Sequence, residues 1–155
     1  MIIKTPTKYF LVSGSSEGFS LLNAFDGALL ASGVGDTNLV RMSSILPPKC
    51  KEISPIKLPQ GNLIPIAYAS LMSDKPGEII SSAVAVGIPE DPSLAGLIME
   101  YSTFADRNTV EKQVTLMVLK GMAFRKRSIK AIKCVSSTMK IETIGATFAG
   151  VVLWD

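Results

Sequence analysis

Between residues 63 and 101, three strand-length apolar runs follow one another at 63–72, 78–88 and 95–101. Only turn formers separate them, Asp74-Lys75-Pro76-Gly77 and then Pro89-Glu90-Asp91-Pro92. Parallel neighbours need a crossover of a dozen residues or more, and these gaps are far shorter. The runs therefore predict an antiparallel sheet. Tyr9-Phe10-Leu11-Val12 reads as an earlier strand, ending in a tight turn at Ser13-Gly14-Ser15-Ser16-Glu17-Gly18. Residues 129–137 and 144–154 complete the chain as two more strands. Helical spacing occurs twice. Leu21, Leu22, Phe25, Ala28 and Leu29 form one apolar stripe, with Ser20 as N-cap and Gly33 as the stop. Val110, Val114, Met117, Val118 and Met122 form another, opened by an Asn108–Glu111 capping box. The order is βα, then mostly β, then α, then ββ, which is an α+β fold of layered sheets with helices outside.

The five prolines at 47, 48, 55, 59 and 65 suggest a linker. The segments on either side are each too short for a complete core, so residues 1–155 read as one domain with an irregular excursion. At 155 residues, such a domain buries roughly 70% of the surface its unfolded chain exposes. Hydrophobic residues make up 47% of the chain, yet no apolar run approaches the roughly 18 residues that cross a bilayer. The N-terminal stretch from Met1 to Pro6 lacks the apolar core of a signal peptide. The surplus hydrophobicity predicts a large core or subunit contacts, hence an oligomer and no membrane.

The sequence has no histidine. Ser-His-Asp and Cys-His catalysis, a histidine base and histidine metal sites are excluded within one chain. Cys50 and Cys134 cannot make a four-cysteine zinc site, so no metal is expected. Two isolated cysteines fit a reduced, cytoplasmic protein. Net charge is only +3. The basic cluster of Lys120, Arg125, Lys126, Arg127, Lys130 and Lys133 has no aromatic platform, and it reads as a helix end and strand face rather than a nucleic-acid site. The Gly14–Gly18 segment lacks the Gly-Lys-Ser/Thr of a phosphate loop and reads as a strand-to-helix turn.

Three features carry chemistry. Asp26 falls on the helix beside Leu22 and Leu29, either at the solvated edge of the stripe or placed to meet a cation with an aliphatic stem. Glu100 shares a strand face with Ile98; buried there, its carboxyl would hold a proton near neutral pH, and exposed it would be a surface acid. Ser43-Ser44 ends the strand-like run 38–46 and precedes Pro47-Pro48. A serine hydroxyl at a strained strand end can attack the preceding carbonyl to give an ester. β-Elimination then cuts the chain and leaves dehydroalanine, which hydrolyses to a pyruvoyl ketone.

At these residues the chain resembles the pyruvoyl-dependent arginine decarboxylases. The matching stretches are Gly14-Ser15-Ser16-Glu17-Gly18, the run from Leu22 through Asp26 to Leu30, the run from Asn38 through Ser43-Ser44 to Pro48, and Gly96-Leu97-Ile98-Met99-Glu100-Tyr101. The closing run from Phe148 to Trp154 is also similar. The resemblance implies self-cleavage between Ser43 and Ser44 into a β chain of 1–43 and an α chain of 44–155. Ser44 becomes the covalent pyruvoyl cofactor, Asn38 assists processing, Glu100 donates a proton, and Asp26 receives the guanidinium. Leu29 would pack the substrate's methylenes. It further implies an αββα sandwich with mainly antiparallel sheets, a trimer of αβ units with sites between protomers, and conversion of L-arginine to agmatine for polyamine synthesis. The short N-terminus departs from some members. Two alternatives stay open: another amino acid as substrate, or a non-catalytic module using the 120–133 segment.

Overall fold

The computed structural model describes residues 4–155; Met1 to Ile3, part of the stretch read against a signal peptide, lie outside it. Nine strands and two helices are formed among the described residues: β1 (Lys8–Glu17), α1 (Leu21–Ala31), β2 (Asn38–Arg41), β3 (Ile45–Leu46), β4 (Lys51–Glu52), β5 (Leu63–Ser73), β6 (Ile79–Pro89), β7 (Gly96–Thr103), α2 (Arg107–Phe124), β8 (Ile129–Lys140) and β9 (Gly145–Trp154). They make a five-stranded sheet in the order β2-β5-β9-β1-β4 and a four-stranded sheet in the order β3-β7-β6-β8. Pairing is antiparallel except for β1 with β4 and β2 with β5.

Strand alternation explains why the sheets stack. β9 reads Gly-Ala-Thr-Phe-Ala-Gly-Val-Val-Leu-Trp and is buried along nearly its whole length. Ala146, Phe148 and Val152 point to α1, where they pack with Phe10, Ala24, Ala28 and Ile66. Ala149, Val151 and Leu153 point the other way, into a layer shared with Tyr9, Leu46, Ala67, Val84, Val86 and Ile98. On the far face of the second sheet, Ala83, Ala85 and Leu97 meet Val110, Val114, Val118 and Met122 of α2. Three apolar layers thus lie between four structural ones, giving the expected αββα sandwich. Where the inter-sheet layer turns polar, fully buried Ser82 and Thr147 satisfy each other at 2.9 Å, and Ser82 also meets Ser102 at 2.9 Å.

Several local expectations are corrected. The segment 13–17 is not a turn: β1 runs on to Glu17 in unbroken register with β9. Its small residues serve close packing instead. A Cβ on Gly18 would stand 2.2 Å from the backbone nitrogen of Ala24, and one on Gly14 would stand 2.7 Å from Ser32 Oγ. Ser20 does cap α1, accepting from the Asn23 N–H at 3.1 Å, and Gly33 takes φ +81° beyond the helix end. The buried face of α1 is Ala24 and Ala28, however, while Leu22 is 72% exposed and Leu21 42%. Small residues let the helix sit close to the sheet, which leaves the leucines outside. The α2 cap is Asp106, accepting from Thr109 N–H at 2.9 Å, not Asn108. The run 38–46 is two strands in two sheets, interrupted at 42–44.

The β8–β9 turn is held by one carboxylate. Glu17 accepts from the backbone N–H groups of Glu142, Thr143 and Ile144 at 2.7, 3.3 and 2.9 Å. These bonds favour the charged form and hold the Glu17 pKa below its ordinary value. Its stabilisation is present above the ordinary glutamate range and is lost as pH falls through the lowered pKa. Glu17→Ala should therefore cost about 1 kcal/mol at neutral pH, given solvent screening. Thermal unfolding across pH checks this: the gap to the unmodified chain should close in acid.

Candidate active site

The interruption at 42–44 is a passage between sheets. Met42 N–H still bonds to β5, through Ile66 O at 2.9 Å. Two residues later the Ser44 carbonyl accepts from Ile98 N–H of β7, also at 2.9 Å. Stacked sheets lie about 10 Å apart, so the backbone must cross in one residue, Ser43. Ser44 absorbs the turn at φ +78°, a left-handed conformation that costs a non-glycine residue about 1–2 kcal/mol. Ser43 is exposed, while Ser44 is buried. Among the described residues, no hydrogen bond reaches the Ser43 carbonyl oxygen, so that group is free to be attacked.

β7 supplies the opposing carboxylate. Glu100 lies across from Val84 and on the face of Ile98, so the face is the inter-sheet one. Ser44 Oγ donates to Glu100, with Oε2 at 2.8 Å and Oε1 at 3.0 Å. Arg41, at the end of β2, brings its guanidinium to 3.9 Å from Glu100 Oε1. That side chain is fixed on β5: it donates to Tyr68 O at 2.9 Å and lies over the Tyr68 ring at 4.5 Å. Burial raises the Glu100 pKa above the ordinary value, opposed by the Ser44 hydroxyl and by Arg41. The arrangement pairs a strained, hydroxyl-bearing peptide with a carboxylate able to take its proton and later return one.

The remaining expected residues do not join this pair within one chain. Asp26 and Leu29 ride on α1, which packs on the outer face of the five-stranded sheet against β1, β9 and β5. Asp26 is exposed and Leu29 half-buried. Asn38 starts β2, and its side-chain amide donates to Gly61 O at 2.9 Å. Among the described residues, no hydrogen bond or ion pair links Asp26 or Asn38 to Ser44 or Glu100. Arg41 and Tyr68 are the residues that sequence reasoning missed. Arg41 stood inside the quoted 38–48 motif, and a lone cation three residues before the serine was the available signal.

A family profile described as pyruvoyl-dependent arginine decarboxylase matches residues 8–154. The chain belongs to that family. It is 46% identical over 151 residues to the pyruvoyl-dependent arginine decarboxylase of Methanocaldococcus jannaschii, covering 97% of this chain and 92% of that protein. The Thermococcus sibiricus protein of the same description is 40% identical over 153 residues, covering 96% of each. A solved structure of pyruvoyl-dependent histidine decarboxylase at pH 8 shares the fold, with a TM-score of 0.50 and 14% identity over 62% of this chain and 51% of that one. A covalently bound pyruvoyl group is thus the cofactor of this decarboxylase family, and the residues here fit its formation: a buried serine under backbone strain, with its hydroxyl on a carboxylate.

Other groups are chemically quiet. Burial pushes both free thiols, Cys50 and Cys134, up to about 11, far from a reactive thiolate at neutral pH. Among the described residues, no cluster of acidic and cysteine side chains could hold a metal ion, and no helix is long and apolar enough to cross a membrane. Within the basic cluster, Arg127 donates to Ala95 O at 2.6 Å and Lys133 pairs with Glu52.

A raised acid pKa has a sign for stability. Between the ordinary value and the raised one, the folded chain binds more protons than the unfolded chain, so stability falls as pH rises through that window. Glu100→Gln removes this loss. The variant should melt at a higher temperature than its parent at neutral pH and show no advantage in acid. Both are best measured in an uncleaved Ser44→Ala background.

Proposed function

We propose that residues 1–155 form one domain that cuts itself between Ser43 and Ser44 and then decarboxylates L-arginine to agmatine and CO₂. The observation that carries the reading is Ser44 itself. It is held at φ +78° where the chain passes between sheets, with its hydroxyl on Glu100. Glu100 takes the Oγ proton as Oγ attacks the Ser43 carbonyl carbon, converting a strained amide into an ester. Loss of the Ser44 Cα proton then expels the Ser43 carboxylate and leaves dehydroalanine at 44. Water adds, ammonia leaves, and the new α chain begins with a ketone. The cut relieves the left-handed backbone, while the Ile98 N–H keeps its bond to the carbonyl of residue 44.

The ketone supplies the electron sink that loss of CO₂ requires. The chain's own residues do the rest. Glu100, whose pKa burial raises, gives a proton to the substrate's α-carbon. Asp26 receives the planar guanidinium with two parallel hydrogen bonds. Leu29 packs the methylenes, and Asn38 steadies the oxyanion of the processing step.

Because Asp26, Leu29 and Asn38 do not meet Ser44 within one chain, they act on the Ser44–Glu100 pair of a neighbouring protomer in a homotrimer of αβ units. Exposed Leu22 and Leu30 of α1, Val40 of β2 and the flanking Phe19 and Met42 support this, since they place apolar surface on and beside the elements that must face the neighbour. A cytoplasmic setting and delivery of agmatine to polyamine synthesis complete the proposal.

Intact mass tests it. The purified protein should give fragments 1–43 and 44–155, the larger lacking a free amine and gaining mass with borohydride. Ser44→Ala should abolish both the cut and CO₂ release. A single unmodified chain that still releases CO₂ from arginine would overturn the reading. Asp26→Asn should cut normally yet raise KM for arginine about ten- to a hundredfold, the worth of a charge-assisted bond.

A further inference from the structure

Arg41 is held in a way that self-processing alone does not explain. Its guanidinium has five donors in one plane. One nitrogen serves Tyr68 O at 2.9 Å, and the face is fixed by the Tyr68 ring at 4.5 Å. The approach to Glu100, at 3.9 Å, is an ion pair without a hydrogen bond. The side chain is 56% exposed, so the donors that Tyr68 does not use are accessible to a ligand. Among the described residues, Arg41 is the sole cation in ion-pair range of Glu100.

We infer that Arg41 receives the α-carboxylate of the substrate. This rests on the decarboxylase reading and deepens it. The substrate's amine and carboxylate share one carbon, and the amine must reach the carbonyl formed from Ser44. The carboxylate therefore lands within a few bonds of residue 44, which two contacts, of 3.0 and 3.9 Å, separate from the guanidinium. Glu100 must face the same carbon to reprotonate it, so the leaving carboxylate and Glu100 share a neighbourhood. Arg41, already in ion-pair range of Glu100, would offset the charge that the incoming carboxylate brings to that neighbourhood. An exposed pair is weak, so it orients the leaving group without trapping it. Once CO₂ departs, the product amine has no anion for Arg41, and the site loses one contact to the molecule it must release. Tyr68 is a positioning residue, since it sets the plane of the guanidinium and touches nothing that reacts.

The test separates the carboxylate from the rest of the ligand. Cleaved protein is reduced with borohydride so that nothing turns over, and L-arginine, L-argininamide and agmatine are bound by calorimetry. The unsubstituted protein should prefer arginine over argininamide about tenfold or more. In Arg41→Gln that preference should vanish while agmatine affinity stays within about twofold. Arg41→Lys should restore part of it. Equal losses for arginine and agmatine would overturn the inference and make Arg41 a structural tether, for instance of the new Ser43 carboxylate. If Arg41→Gln fails to mature, the unsubstituted protein still decides: no preference for arginine over its amide overturns the inference. Protein that remains one uncleaved chain, or that binds none of the three ligands, instead sinks the decarboxylase reading on which it rests.

Discussion

The site depends on a backbone that must change sheets within one residue. Met42 is hydrogen-bonded to one sheet and Ser44 to the other, leaving Ser43 to bridge the layer. That constraint sets the left-handed φ of Ser44, leaves the Ser43 carbonyl with no hydrogen bond among the described residues, and turns the Ser44 hydroxyl toward β7. The strain, about 1–2 kcal/mol by the usual cost of this conformation, is small against the stability of a four-layer core. It is nonetheless stored at the peptide that the proposed cleavage would break. The rest of the fold makes it bearable: β2 is anchored along β5 and β3 on β7, so the serines cannot relax without breaking sheet hydrogen bonds.

Glu100 shows how one group can serve two stages. In the uncleaved chain, burial lifts its pKa while the Ser44 hydroxyl and Arg41 pull it down. The hydroxyl that favours the charged, proton-accepting form is the one that the proposed processing would consume. Removing a donor from a carboxylate shifts it toward the neutral acid. Under that proposal, the carboxylate suited to accepting the Ser44 proton would be left suited to donating one to carbon.

Sequence periodicity made the strands legible, because β5, β6, β7 and β9 are long apolar runs bounded by unambiguous turns. It misled where small residues serve tertiary packing. Ser13 to Glu17 has the composition of a turn, but the glycine and serines are there so that α1 can press on β1. Leu21 and Leu22 fit a helical stripe, yet the face that packs inward carries alanines; which face a sheet takes is not written in the period of one helix. Asn38 to Leu46 looked like one strand because both halves are apolar, and only three-dimensional pairing shows that they belong to different sheets. Ser44 and Glu100 were legible through the resemblance, and Glu100 also through alternation with Ile98. Arg41 was not, since its partners lie 27 and 59 positions away at Tyr68 and Glu100.

The position of β1 has a further consequence. It lies inside the five-stranded sheet, paired with β9 on one side and β4 on the other, while β2 closes the far edge of the same sheet. A cut after Ser43 would place β1, α1 and β2 in one fragment and all their sheet partners in the other. Neither piece could form that sheet alone: without β1, the 44–155 fragment would present β9 with one edge unpaired, an invitation to aggregate. Under the proposed cleavage, assembly would therefore have to come before scission. The backbone twist that makes Ser44 reactive exists only once both sheets have closed around it, so a misfolded copy would carry no ketone and stay chemically silent.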